Sequence, residues 1–79
     1  SERPDDSFSI MRKKNVFFLT GHRAEKIVEV TNLREPESLA HMFNVLRAMG
    51  VIDALLQAGA SQGSEIVVNG ITFSFGDHM

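Results

Sequence analysis

Cysteine, tryptophan and tyrosine are absent from this chain, proline occurs twice, and no run approaches the about eighteen consecutive apolar residues that span a membrane. Without cysteine there are no disulfides and no thiolate metal sites. That favours a cytosolic setting over a secreted one, where so small a domain often depends on covalent staples. Without tryptophan or tyrosine, the six phenylalanines bring aromatic bulk but no polar handle, and suit packing better than recognition. The polar start SERPDDS has no apolar core of the signal-peptide kind, so the expectation is a soluble chain that is neither exported nor membrane-bound.

Charge is also unevenly supplied. The net charge of −2 argues against a general nucleic-acid binder. Yet Arg12, Lys13, Lys14, Arg23 and Lys26 stand against Glu25 alone, so residues 12–26 are net +4. Residues 50–79 have no Lys or Arg and are net −3 through Asp53, Glu65 and Asp77. Two poles of opposite sign can orient docking on a larger partner, and an unevenly charged solvated surface accounts for the same counts.

What is present is punctuation. Gly50 and Gly59 each follow an apolar helical pattern, where the chain must turn left-handed to end a helix. Asn69-Gly70 separates Ile66-Val67-Val68 from Ile71-Thr72-Phe73, a strong hairpin signal. Phe8 and Ile10 alternate with Ser7 and Ser9, and Lys13-Lys14-Asn15 turns this strand into Val16-Phe17-Phe18-Leu19-Thr20. That second strand is apolar on both faces, so helices should cover one side and something else, such as a partner, the other. Glu35-Pro36 announces a helix reaching about Met49, with Leu39, Met42, Phe43, Leu46 and Met49 as its buried stripe. Val51, Ile52, Leu55, Leu56 and Ala58 make the next helix apolar over a wide arc, as if wedged between neighbours. Residues 22–31 fit a helical face through Ala24, Ile27 and Val28, but their β-branched density suits a strand equally well. The expected architecture is a single small α+β domain: an antiparallel or mixed sheet from two β-hairpins, with about three helices packed on one face. Residues 1–6 read as a linker end, 7–75 as the folded unit and 76–79 as a tail.

Catalytic chemistry has little to work with. His22, His41 and His78 fit no metal-ligand spacing, and His41 lies on a solvated helix face four residues after Glu37. Ser38, Ser61 and Ser64 read as helix-start or turn residues, and Asp5-Asp6 belongs to the linker. No catalytic, cofactor-binding or metal residue is therefore assigned, and the chain is read as non-enzymatic.

The series Gly21, Ile27, Thr31-Asn32, Phe43, Leu46, Met49-Gly50-Val51, Ala54-Leu55, Gly59-Ala60, Gly63 and Phe73-Ser74-Phe75 resembles the C-terminal (OCT) domain of Obg-family GTPases. It extends over nearly the whole folded chain. Two departures stand out: Gly63-Ser64 replaces the family's Gly-Asp turn, and Thr31-Asn32-Leu33-Arg34 replaces a Thr-Asn-Phe-Asp-like segment. The resemblance tips residues 22–31 toward helix and places Glu25 where the family usually has Glu. It implies a fragment of a longer cytoplasmic bacterial GTPase acting in assembly of the large ribosomal subunit, with GTP and Mg²⁺ bound in a separate central domain. The fragment itself lacks the G-x-x-x-x-G-K-[ST] loop that cradles a triphosphate.

A partner surface is the remaining possibility. Arg12, Lys13 and Lys14 on the first hairpin turn, with Phe17, Phe18, Arg23 and Lys26, are its candidate residues. The partners to expect are the GTPase domain of the same polypeptide and the large ribosomal subunit, through RNA or protein, with no membrane. The alternative is a stand-alone RNA- or protein-binding module using the same basic hairpin. Exposure of Phe17 or Phe18 separates a binding surface from plain core packing.

Overall fold

The computed structural model of the chain describes residues 6–76. Residues 1–5 of the expected linker end, and the tail residues 77–79 with His78, lie outside the described residues.

Period-two alternation builds two hairpins. Strands β1 (Ser9–Lys13) and β2 (Val16–Thr20) pair antiparallel around Lys14-Asn15, with Arg12 opposite Phe17 and Met11 opposite Phe18. The last hairpin pairs β3 (Glu65–Val68) with β4 (Ile71–Ser74) around Asn69-Gly70. Those two residues have φ of 52° and 81°, the two left-handed conformations a type I′ turn requires.

Between the hairpins run α1 (His22–Glu29), α2 (Pro36–Met49) and α3 (Val51–Ala58). They return the chain so that β2 and β3 pair in parallel, Phe17 opposite Ile66 and Leu19 opposite Val68. A parallel pair needs a long crossover, and three helices supply it. The sheet order is β1-β2-β3-β4, hence mixed, with helices against one face as expected.

Residues 22–31 resolve as helix through Glu29. Ala24 and Val28 are buried on the 3.6-residue period, and the Glu25 carboxylate accepts the Gly21 N–H at 3.0 Å, satisfying an orphan donor at the helix start. In α2 the stripe Met42, Phe43 and Leu46 is buried, with Leu39 and Met49 half-buried. Gly50, at φ 91°, ends α2 and starts α3, and the two helices meet at 81°. Helix α3 is not wedged on all sides: Val51, Ile52 and Leu55 are buried, but Leu56 is 51% exposed because no element lies beyond it. No single helix among the described residues is long and apolar enough to cross a membrane.

The hairpins are locked at one end by a buried hydroxyl. Ser64 is wholly buried; its Oγ accepts the Ser61 N–H at 3.0 Å and donates to Asn15 Oδ1 at 2.9 Å. Serine can do both here, so the missing turn acid leaves no polar group orphaned.

Lys14, first residue of the β1–β2 loop, has a φ of 59°, where a Cβ crowds the following carbonyl by about 1–2 kcal/mol. Glycine removes that clash but gives back about 0.5–1 kcal/mol through its unfolded-state freedom. Lys14→Gly is expected to raise the melting temperature, followed by circular dichroism, by about 3–6 °C. A lower melting temperature would show that the lysine backbone is unstrained.

Candidate docking surface

Sheet alternation divides the basic hairpin between two faces. Phe17, Leu19, Ile66 and Val68 point to the helices and are buried. Phe18, one residue on, points the other way and is 36% exposed. Phe17 therefore leaves the candidate surface: with no exposed area its ring cannot meet a partner, and it belongs to the core.

Arg12 shares the helix-side face because it pairs with Phe17. Its guanidinium carbon lies 5.4 Å from the centre of the Phe17 ring, and its Nη1 donates to the Ala58 carbonyl at 3.1 Å. Nε donates to the Lys14 carbonyl at 2.8 Å. Helix α3 has no basic residue in its last turn, so this strand residue supplies the cation that the negative end of the helix favours. Gly59 has a left-handed φ of 109°, which a residue with a side chain rarely adopts, and with no Cβ it also leaves Arg12 Nη1 in place without displacing it. Arg12 is thus a clamp between the first hairpin and α3.

Arg23 donates from Nη1 to Asp6 Oδ1 at 2.9 Å, an ion pair with both partners about half exposed. Such a pair adds little stability, but it offsets the charge. Lys26 is exposed on α1, the same helix and therefore the covered side of the sheet. Lys13 and Lys14 are exposed, Lys13 on the open face with Phe18 and Lys14 at the turn, and neither pairs with an acid among the described residues. The seven candidates are not one surface: Lys13, Lys14 and Phe18 stay together, while Arg23 and Lys26 lie on the far side.

Residue-by-residue reading missed Met11. It is 69% exposed and sits opposite Phe18, and Phe18 in turn sits opposite the half-buried Val67. The three form one apolar row across β1, β2 and β3. The pairing register was the signal that could have found it: once Lys13 is set opposite Val16, Met11 must face the same way as Phe18.

Elsewhere a groove of about 340 Å³ runs between α1 and α2, lined by Ile27, Val30, Thr31, Glu35, Glu37, Ser38 and His41. Its Ser38 hydroxyl is committed to Glu35 Oε1 at 2.7 Å. Among the described residues, no group of three or more His, Asp or Glu side chains could hold a metal ion.

Compared with known families, residues 8–75 match the one described as a domain of unknown function, DUF1967. The curated relatives include GTPase Obg of Brevibacillus brevis, 35% identical over 75 residues, which are 95% of this chain and 18% of that protein. GTPase Obg of Lactobacillus gasseri is 35% identical over 92% of this chain and 17% of its own length. That of Alkaliphilus oremlandii is 32% identical over 86% and 16%. The chain spans less than a fifth of these relatives. No solved structure matches it.

Arg12→Ala should cost about 1–2 kcal/mol, for the lost hydrogen bond to the Ala58 carbonyl and the lost cation over Phe17. The check is the urea unfolding midpoint. Arg12→Lys should recover less than half, since one ammonium cannot bridge Ala58 and Lys14 together. Full stability in Arg12→Ala would mean the clamp is ornamental.

Proposed function

Because the chain belongs to the DUF1967 family, the C-terminal domain of Obg GTPases, we propose that it is the regulatory or docking domain of an Obg-type ribosome-assembly GTPase and performs no catalysis itself. The observation that supports this reading most is the open sheet face, where Met11 and Phe18 remain exposed beside unpaired Lys13 and Lys14. An exposed apolar row beside charge of one sign is the kind of surface on which a partner docks.

In this reading the parent polypeptide is a cytoplasmic GTP hydrolase that holds GTP and Mg²⁺ in another domain. The present chain lacks the glycine-rich lysine loop for a triphosphate. Its contribution is binding: a domain that docks differently on the two nucleotide states of the GTPase part shifts the balance between them by the difference in docking free energy. The large ribosomal subunit is the external partner, and the Lys13-Lys14 turn is the part directed to its phosphates.

The test uses the full-length parent and large ribosomal subunits, with association followed by sedimentation across a salt titration. Lys13→Glu with Lys14→Glu should weaken association while leaving the domain's melting temperature within a few degrees of the wild type. The slope of log affinity against log salt should fall by about 0.7–0.9 for each phosphate contact removed. Identical binding at every salt concentration would sink the ribosomal part of the proposal.

A further inference from the structure

Resting on the docking reading above, we infer that the open sheet face binds single-stranded RNA, with one base stacked on Phe18 and its flanking phosphates against Lys13 and Lys14. Three observations point the same way. The first is the platform. Phe18 lies on a central strand, in one cross-strand row with Met11 and Val67. Same-face rows are about 7 Å apart along a strand and neighbouring strands about 4.8 Å apart. With the half-buried Val16 beside Phe18 on the same face of β2, the apolar area is about 10 Å long and centred on the Phe18 ring, the footprint of one or two bases.

The second is the border of that row. On one side, toward Ser9 and Thr20, and at its far end at Thr72, the open-face side chains are exposed hydroxyls. These donate and accept, which suits a ribose 2′-hydroxyl and base edges. The third is charge. Lys13 is two residues from Met11 on the same face and Lys14 follows at the turn, both exposed. Glu65, in the Lys13–Val16–Glu65 row, is the one carboxylate on the open face of the four strands, and the two lysines outnumber it. A flat aromatic with neighbouring cations is the arrangement that tracks an unpaired strand. Stacking requires a base with a free face, which a duplex does not offer.

The experiment titrates the 79-residue chain with a short single-stranded oligouridylate at low salt. It follows fluorescence anisotropy of labelled RNA and the methyl resonance of Met11, which the ring of a base stacked beside it must shift. Saturable binding with a Met11 shift is expected. Phe18→Ala should weaken it about fivefold to a hundredfold, and Phe18→Trp should retain it. Lys13→Gln with Lys14→Gln should flatten the salt dependence by about 0.7 per contact. Circular dichroism confirms that each variant is folded. Equal affinity for the same sequence as a duplex, or for Phe18→Ala, would overturn the inference. If RNA fails to bind while Met11→Ser or Phe18→Ala still weakens association with the parent's GTPase part, the occupant is protein: the RNA inference falls and the docking reading stands.

Discussion

The rest of the structure depends on the parallel pairing of β2 with β3, Phe17 against Ile66 and Leu19 against Val68. Each hairpin is local and cheap to close, but joining two hairpins through a parallel pair forces a long crossover over one face of the sheet. That crossover is α1, α2 and α3, and its apolar faces bury the inward side chains of β2 and β3, with Ile10, Ile71 and Phe73 of the outer strands half-buried. The second face of the sheet is left uncovered by the same construction. Its exposure is a consequence of topology, and the side chains that sequence places there determine what it can meet.

A single-residue period then decides every role along the first hairpin. Phe17 and Phe18 are chemically identical neighbours, yet one is core and the other is 36% exposed. Arg12 and Lys13 are both cations, yet Arg12 turns under the sheet to cap α3 and Lys13 remains free on the open side. The glycine at 59 is required by its left-handed φ of 109° at the end of α3, and the same position lets the Arg12 guanidinium come close as the C-terminal cation that the helix lacks.

Much of this was legible in the chain itself. The Asn69-Gly70 turn, the glycines that bracket α3 and the Leu39-to-Met49 stripe each report a local rule, and local rules need no knowledge of the fold. Residues 22–31 were not legible by pattern, because Ile27-Val28-Glu29-Val30-Thr31 satisfies both periods; what decides them is Glu25 folding back on Gly21 and the burial of Ala24 and Val28 beneath the sheet. The candidate surface was legible only in part. Charge counting grouped Arg12, Arg23 and Lys26 with Lys13 and Lys14, and only the sheet, which stands between them, separates the groups. Met11 was overlooked because its significance lies in its register against Phe18, a non-local fact.

How such a domain acts follows from how firmly its hairpin is held. The first hairpin is fixed to α3 by Arg12, to the β3 approach by Asn15 and Ser64, and to β3 along β2 itself. Contacts made at Phe18 therefore reach a hairpin tied at several points to α3 and β3, and a ligand shifts an equilibrium only between states it distinguishes. In the docking role proposed above, regulation depends on where the domain is placed against a partner. Its coupling to a nucleotide-bound state can be no larger than the difference between two docking free energies on one open face. Coupling between sites is typically about 1–3 kcal/mol, about 5- to 150-fold, and an apolar row of three side chains with Lys13 beside it and Lys14 at the turn is the surface on which such a difference would be made.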